Sequence, residues 1–357
     1  MKAESIGKKG IPLRQSRNRT GFRAGVYLFT LIVLVYIIVF MGTPYVVYQP
    51  GGASEVSPMI KVENEDKEEA GTFMMTTVSA SYANVALLLF SALNPNAEVE
   101  RKAERLGNQS EEEYAATQVY YMSSSQSNAV EAAYKAAGIP YHDATDYLFV
   151  FSVPGETGHK QLQPGDKIVS VDGRQVADPE ALSKLLSSRK IGDQVAVSLD
   201  RGGKKLTENV TLVEIKDSGK AAVRPGLGVV IGAVQKVKAS EAGREVRFTD
   251  TDVGGPSAGL MFTMEIYNRL TKGDLTKGYR VAGTGTIDPN GEVGPIGGVK
   301  FKIVAADRKG AEIFFVPVKN YEEAKAKADK IGTKMKLVPV STLSQAIQYM
   351  EKLPVKP

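Results

Sequence analysis

The chain of 357 residues contains no cysteine and no tryptophan, and its only histidines are His142 and His159. The absence of cysteine excludes disulfide bonds and a thiol nucleophile. Two histidines far apart in sequence provide none of the usual zinc-binding sets, so we expect no metal site and no cofactor. With 43% hydrophobic and 24% charged residues the chain has the composition of a folded protein, with room for two domains.

Positive charge is concentrated at the N-terminus. The formal net charge is +5, and residues 1–23 carry seven lysines and arginines against a single acid, Glu4. This basicity precedes an uncharged run at residues 24–47, which exceeds the roughly 20 residues that a membrane-spanning helix needs. The basic residues therefore indicate the orientation of a membrane-spanning helix rather than a nucleic-acid-binding surface, and we expect no nucleic-acid partner.

The uncharged run could be either a cleaved signal peptide or a permanent anchor. It is long for a signal peptide, and no small-x-small cleavage site follows it, which favours an uncleaved anchor. The positive-inside rule then leaves residues 1–23 in the cytoplasm and places the chain beyond about residue 48 outside the cell membrane. The sequence therefore predicts a single-pass membrane protein with an extracytoplasmic body.

The segment 48–130 alternates between strand and helix patterns. It contains a strand-like run at 72–78, an apolar helical run at 85–93, and a charged stretch in which Ser110 and Glu113 have capping-box spacing. The serine-rich residues 122–128 are interpreted as a linker or a helix cap. A strand followed by a helix can form the first part of a larger domain, so this segment is a candidate first part of a domain that continues further along the chain.

Short alternating strands around one helix characterise residues 136–216. The motif "LxPGDxIxxVxG" is formed by a set of turn and core residues, namely Leu162, Pro164, Gly165, Asp166, Ile168, Val171 and Gly173. This arrangement resembles a PDZ domain. The resemblance implies that a peptide adds as a strand beside residues 147–153, opposite a helix at 179–190. The alternative is a small β-domain that binds no ligand.

The stretch "DTDVGGPSAGLMFTMEIYNRL" at 250–270 places a serine before an apolar helix. Pro256 suits a first helical position and Gly273 suits a stop, so Ser257 is predicted at a helix N-terminus. Backbone N–H groups and the macrodipole would stabilise a negative oxygen there. The alternative is a serine that only caps the helix.

A serine nucleophile needs a base, and no histidine is near Ser257 in sequence. Lys300 is predicted in the first turn of a helix whose buried stripe is Val299, Ile303 and Ala306. The macrodipole and partial burial both lower the pKa of a lysine in that position, so that it can accept a proton. The alternative is a lysine that extends along the surface into solvent.

Together these segments resemble the proteolytic domain of the Lon proteases, which use a Ser-Lys pair. The matching motifs are "GGPSAG" at 254–259, "GTGTI" at 283–287 and "GPIGGVKFKIVAADRKGA" at 294–311. The resemblance implies that Ser257 is the nucleophile and Lys300 the base. It also implies supporting residues: Thr284 positions the pair, and backbone N–H groups at Ser257, Ala258 and Gly255 serve the oxyanion.

The chain departs from the ATP-dependent Lon branch in two respects. It contains no Gly-x4-Gly-Lys-Ser/Thr loop, so it carries no unfolding motor. Gly254 stands where some relatives have an acidic residue, and whether Asp250 or Asp252 substitutes for it stays open. An anchor, a PDZ-like module and a Lon-like domain in this order are similar to bacterial membrane-anchored PDZ-Lon proteases.

The expected fold is therefore an α/β (α+β) Lon-type domain at 224–357 with a small mainly-β domain, preceded by one transmembrane helix. We hypothesise that the PDZ-like module is inserted into the proteolytic domain. The predicted function is an ATP-independent extracytoplasmic serine endopeptidase acting on peptides or exposed, unfolded segments at the outer membrane face. The alternative is a membrane-tethered PDZ module with an inactive protease-like domain. The expected partners are these substrates, the bilayer and, because Lon-type domains tend to form rings, further copies of the chain.

Overall fold

The computed structural model describes residues 17–63, 65, 69–154, 161–216, 223–249 and 253–356, with residues 17–20 and 216 described by their backbone alone. Four features of the sequence lie outside these residues, namely most of the basic tail, His159, Asp250 and Asp252. The chain divides into two compact units. One comprises Met1–Tyr48 and Ala80–Lys102, and the other Gln49–Ser79 and Ala103–Pro357.

Helices are distributed along the whole described chain. They are α1 Arg17–Phe40, α2 Val85–Ala92, α3 Lys102–Leu106, α4 Glu111–Ala137, α5 Pro179–Leu186, α6 Gly259–Leu270, α7 Val299–Arg308, α8 Tyr321–Ile331 and α9 Leu343–Glu351. Two 3₁₀ turns accompany them, Ser57–Met59 and Val318–Asn320.

The strands fall into two groups by position. Those before and within the predicted PDZ-like region are β1 Gly42–Glu55, β2 Ile60–Val62, β3 Thr72–Asn84, β4 Glu98–Arg101, β5 Tyr141–Ser152, β6 Lys167–Val171, β7 Arg174–Gln175, β8 Gln194–Arg201 and β9 Lys204–Thr211. Those that follow are β10 Val213–Lys216, β11 Val223–Gly226, β12 Val230–Ala239, β13 Val246–Phe248, β14 Arg280–Gly283, β15 Thr286–Ile287, β16 Val293–Gly294, β17 Ile313–Pro317 and β18 Lys336–Val340.

The first unit is built around α1. Its stretch Gly21–Phe40 is long and apolar enough to cross a membrane, and none of it is buried by the protein. β1 follows at once and pairs antiparallel with β4, with Tyr45 opposite Arg101. Asn84 caps α2 by accepting from the Leu87 N–H, and its side-chain amide donates to the Val39 carbonyl in the last turn of α1.

The second unit contains a mostly parallel sheet in the order β18–β17–β14–β3–β1. Alternate residues of its strands face opposite sides, as the period of a strand requires. Phe73 and Phe315 pack with α4, α6 and α9 on one face, whereas Met74 and Phe314 pack with α7 and α8 on the other. The result is a three-layer α/β domain in which both faces of the sheet are covered.

Residues before the PDZ-like region take part in this α/β domain. β3 lies parallel to β14, with Phe73 opposite Val281, and β2 pairs with β13. The buried Arg269 of α6 donates to the side chain of Glu65 and to the carbonyl of Ser57. These contacts join 57–75 to 246–283 across the intervening β-domain, which is the arrangement that an inserted module requires.

The β-domain between these segments has the strand order β12–β5–β6–β8–β9, with β7 beside β6 and α5 over the apolar face. Asp178 caps α5 by accepting from the Ala181 N–H, and Pro179 is the first residue of the helix. The buried Asp166 carboxylate accepts from both the Nε and a terminal nitrogen of Arg201, which fixes the "PGD" turn. The domain extends beyond its predicted end at 216, because β12 pairs with β5 along nearly its whole length.

Two predictions about α4 had different outcomes. The capping box is confirmed, because Ser110 Oγ accepts from the Glu113 N–H while the Glu113 carboxylate accepts from the Ser110 N–H. The interpretation of 122–128 as a linker or cap is wrong, because these serines lie in the middle of the helix. Ser127 Oγ donates back to the Ser123 carbonyl, so its polar group is satisfied within the helix.

Candidate active site

The segment around Ser257 is a turn that precedes α6 rather than its first turn. The helix begins at Gly259 and ends at Leu270, so Pro256 and Gly273 do not mark its ends as predicted. The Ser257 carbonyl accepts from the Gly285 N–H at 2.9 Å. The Ser257 side chain is half-buried, so part of it stays accessible to solvent.

Lys302 reaches Ser257 from α7 on the opposite face of the sheet. Its Nζ lies 2.8 Å from Ser257 Oγ, 3.0 Å from Thr284 Oγ1 and 3.1 Å from the Thr76 carbonyl. The site thus combines the turn before α6, the residue after β14, the helix α7 and the strand β3. All four groups belong to the α/β domain.

The hydrogen bonds assign each proton of the site when the lysine is neutral. Thr284 Oγ1 donates its proton to the Ser257 carbonyl at 3.0 Å, so it can only accept from Lys302. The Thr76 carbonyl likewise can only accept. The two N–H groups of a neutral amine are therefore directed to Thr284 and Thr76, which leaves the nitrogen lone pair for the Ser257 hydroxyl proton.

Burial explains why the amine can be neutral. Lys302 is almost completely enclosed, at 3% exposure, and among the residues that the structure describes no carboxylate bonds to it. Desolvation disfavours the charged form and lowers the pKa of Lys302 from 10.5 to about 7. A large fraction of the lysine is thus a free base at neutral pH, as a general base must be.

The assignment of the base to Lys300 is wrong on this geometry. Lys300 lies two residues earlier on α7, and its Nζ sits 5.4 Å from the centroid of the Phe301 ring. Two positions on a helix differ by about 200° in direction, so Lys300 and Lys302 cannot face the same site. Lys302 follows Val299 by three residues and precedes Ala306 by four, which places it on the buried stripe.

The structure supports only some of the supporting residues that the sequence predicts. Thr284 is fully buried and bonds to both Ser257 and Lys302. The Gly255 N–H donates to the Gln118 carbonyl of α4 at 2.9 Å and is not directed at a reacting oxygen. In the described part of the chain the Ser257 and Ala258 N–H groups bond to no acceptor. Their role as oxyanion donors stays a prediction.

Thr76 is, besides Lys302, a group of the site that sequence reasoning missed. Its carbonyl accepts from Lys302, and its hydroxyl donates to the Gly283 carbonyl in the neighbouring strand β14. A backbone acceptor has no side-chain signature, so no residue pattern could identify it. Its position in β3 makes the segment before the PDZ-like region part of the site.

The expected peptide position in the β-domain also needs correction. Both edges of β5 are occupied, by β12 on one side and β6 on the other, so no peptide can add beside 147–153. In the described chain β12 and β9 are the two terminal strands of this sheet. Residues Leu227 and Ile231, on and just before β12, pack with Leu182 of α5.

Comparison with known proteins agrees with this architecture. Residues 249–352 match the model of the Lon protease (S16) C-terminal proteolytic domain, and residues 137–212 match that of the PDZ domain. The first match includes Ser257, Thr284 and Lys302. The expected combination of a Lon-type proteolytic domain with a PDZ domain is confirmed by these two matches, and residues 249–352 are similar to the proteolytic domain of the Lon proteases.

Individual relatives match the C-terminal part. The Lon protease of Trichlorobacter lovleyi is 36% identical over 102 residues, which is 28% of this chain and 12% of the relative. The Lon protease of Elusimicrobium minutum is 29% identical over 164 residues, 41% of this chain and 19% of the relative. The chain thus spans less than a fifth of the length of these relatives. The PDZ domain of the SdrC-like protein from Listeria monocytogenes is 26% identical, with a TM-score of 0.22, and covers 24% of this chain and 87% of that one.

Proposed function

We propose that this protein is a membrane-anchored, ATP-independent serine endopeptidase in which Ser257 is the nucleophile and Lys302 the general base. The observation that carries the proposal is the contact of Lys302 Nζ with Ser257 Oγ at 2.8 Å, made by a buried lysine whose pKa is lowered to about 7. Nucleophile and base within hydrogen-bond distance, with the base oriented by a third group, is the arrangement that covalent catalysis requires.

The reaction proceeds in two halves. Ser257 Oγ attacks the peptide carbonyl carbon while its proton passes to Lys302 Nζ, and a tetrahedral oxyanion forms. The protonated Lys302 then gives this proton to the leaving amine as the C–N bond breaks, which produces an acyl-enzyme. Lys302 next removes a proton from a water molecule, which attacks the ester, and the acid product leaves as Lys302 returns the proton to Ser257 Oγ.

The anchor and the lack of a motor define which substrates are accessible. The helix Gly21–Phe40 supports attachment to the membrane, and the basic residues before it support a cytoplasmic N-terminus. Without a nucleotide-dependent unfolding domain in this sequence, a folded protein cannot be threaded to Ser257. Suitable substrates are short peptides and exposed or unfolded segments on the extracytoplasmic side.

We assign the peptide-binding edge of the PDZ domain to β12. Tyr120 of α4 donates to the Ala233 carbonyl, so α4 covers the later part of this strand. The earlier part, from Val230, lies beside α5. The Val230 side chain is 49% exposed. A peptide strand can add there between β12 and α5.

Helix α4 supports a regulatory role for the PDZ domain. The ring of Tyr120 packs on Phe151 with centroids 4.5 Å apart, while the carbonyl of Gln118, two residues earlier, holds the Gly255 N–H. One turn of α4 thus contacts both the PDZ domain and the turn that carries Ser257. Binding of a peptide at β12 can therefore change the position of the Ser257 turn through α4.

A serine-directed fluorophosphonate and a fluorogenic peptide test the peptidase. The purified full chain should form a covalent adduct at Ser257 and hydrolyse the peptide, and Ser257→Ala should do neither. A folded wild-type protein that resists the probe and leaves casein and peptides intact would instead be a tethered PDZ module with an inactive protease-like domain. Protease added to intact protoplasts tests the orientation, because it should digest the region beyond residue 50.

The PDZ assignment has its own test, because the chain contains no cysteine of its own. A fluorophore on Val230→Cys should respond to saturating unstructured peptides, whereas one on Ile191→Cys, equally exposed but remote from β12, should not. A response at neither position, with peptide hydrolysis intact, would remove the β12 edge from the proposal and leave the peptidase in place.

A further inference from the structure

The first unit carries an exposed apolar surface that is separate from the anchor helix. Leu89 is 63% exposed, Phe90 71% and Leu93 83%, on α2 and the residue that ends it. Scattered single exposed leucines are common on soluble proteins, but three large apolar residues exposed within five positions of the chain form a patch.

This patch lies close to the C-terminal end of α1. The Asn84 side chain caps α2 and donates to the Val39 carbonyl, so α2 starts where α1 ends. Phe40 and Met41, the last residues before β1, are exposed as well. The apolar surface of α1 and that of α2 are therefore neighbours within one unit.

Charge is absent from both segments that meet there. No aspartate, glutamate, lysine or arginine occurs in 24–54 or in 71–97. Charge returns with β4, which contains Glu98, Glu100 and Arg101, and with Lys102 after it. Lys102 Nζ lies 4.9 Å from the centroid of the exposed Tyr82 ring. Tyrosine and lysine bordering an apolar surface are typical of the boundary between lipid and water.

We propose that Leu89, Phe90 and Leu93 insert into the lipid around the C-terminal end of α1 and form a second membrane contact. The proposal rests on the membrane anchor of the proposed function. It requires that these side chains meet hydrocarbon, whereas a patch covered by a second copy of the chain would meet protein. The uncharged surroundings and the continuity with α1 favour lipid over a protein partner of mixed polarity.

Spin labels on single cysteines in the full chain test the contact, since no native cysteine interferes. Leu89→Cys, Phe90→Cys and Leu93→Cys are labelled in protein reconstituted into vesicles of phosphatidylethanolamine and phosphatidylglycerol. Collision with oxygen reports lipid, and collision with a water-soluble nickel complex reports solvent. We expect an oxygen-to-nickel ratio several-fold higher at these positions than at Ile191→Cys, an exposed apolar residue of the β-domain.

A label at Leu31→Cys, in the middle of α1, separates this inference from the anchor itself. Lipid at Leu31 with solvent at Leu89, Phe90 and Leu93 would overturn the second contact and leave the anchor intact. Low collision rates with both reagents at the three positions would show that protein covers the patch, and would also overturn it. Solvent at Leu31 would refute the anchor and the second contact together.

Discussion

Lys302 Nζ and Ser257 Oγ lie 2.8 Å apart although 45 residues separate them in the chain. The two side chains approach from opposite faces of the sheet, and Thr284 and the Thr76 carbonyl hold the lysine between them. This relationship makes Lys302 the residue on which the proposed chemistry depends most directly.

Replacement of the two lysines of α7 separates their roles. Lys302→Met keeps the length of the side chain but removes the base, so peptide hydrolysis should fall by about 10⁴-fold or more. Lys300→Met is the matched control and should retain near-normal turnover. The double variant Ser257→Ala/Lys302→Met should be little worse than either single one, because the pair acts as a unit. Equal losses in the two lysine variants, with circular dichroism showing both folded, would contradict the assignment.

The rate should depend on pH through Lys302. The pKa of this group in the folded protein is about 7, and only the neutral amine accepts the Ser257 proton. The value of kcat/KM should therefore rise about tenfold per unit below pH 7 and level off above it. Hydrolysis of a substrate without ionisable groups, from pH 5 to 10, measures this profile. A rate that falls as the pH rises through 7 would argue against a lysine base.

Thr284 should act by positioning Lys302. Thr284→Val removes the acceptor for one Lys302 N–H and the donor to the Ser257 carbonyl, and a bond of this kind to a charged group is worth about 1.5–3 kcal/mol. We expect turnover to fall by about 10- to 100-fold. Because that acceptor favours the charged amine, its loss should also move the pH profile to lower pH. Thr284→Ser should restore both rate and profile, which a purely steric role for the methyl group would not allow.

Removal of the β-domain tests whether it is an insertion. Tyr141 and Ala239 are paired neighbours, and the Ser240 N–H donates to the Pro140 carbonyl at 2.8 Å, so a short glycine link can join Pro140 to Ser240. The resulting protein should fold and unfold cooperatively. Residues 224–357 alone should not, because β14 loses β3 and α6 loses α4. A well-folded, active 224–357 fragment would restore a simple sequential order of domains.

The free energy of unfolding should depend on pH because Lys302 is a buried base. The pKa of Lys302 is about 7 in the fold against 10.5 ordinarily. Between these values the unfolded chain binds a proton that the folded chain lacks, so this group makes the free energy of unfolding rise with pH. The slope relative to Lys302→Met should be about 1.4 kcal/mol per pH unit across this window and vanish above it. Urea unfolding of both proteins at several pH values gives the difference, and parallel curves would place Lys302 in solvent.

Local features were predictable where a short stretch of chain determines them. Ser110 and Glu113 satisfy each other within one turn, and Asp178 with Pro179 starts a helix by the same local chemistry. The alternation of Val195, Val197 and Leu199 matches the buried face of β8. Their partners are adjacent in sequence or repeat with the period of a strand, so the residues alone contain the information.

The sequence by itself determined the motifs: an uncharged run long enough for a membrane, a serine before an apolar helix, and a lysine-containing helix after it. Only the tertiary structure decided which lysine contacts Ser257, because Lys300 and Lys302 lie on the same helix and their side chains point in different directions from it. The tertiary structure also brings the Thr76 carbonyl to Lys302, although 226 residues separate them in sequence. In the same way it pairs β12 with the strand beside which a peptide was expected. These contacts depend on how helices and strands pack. Packing brings together residues that are far apart in sequence, and no local sequence pattern identifies such pairs.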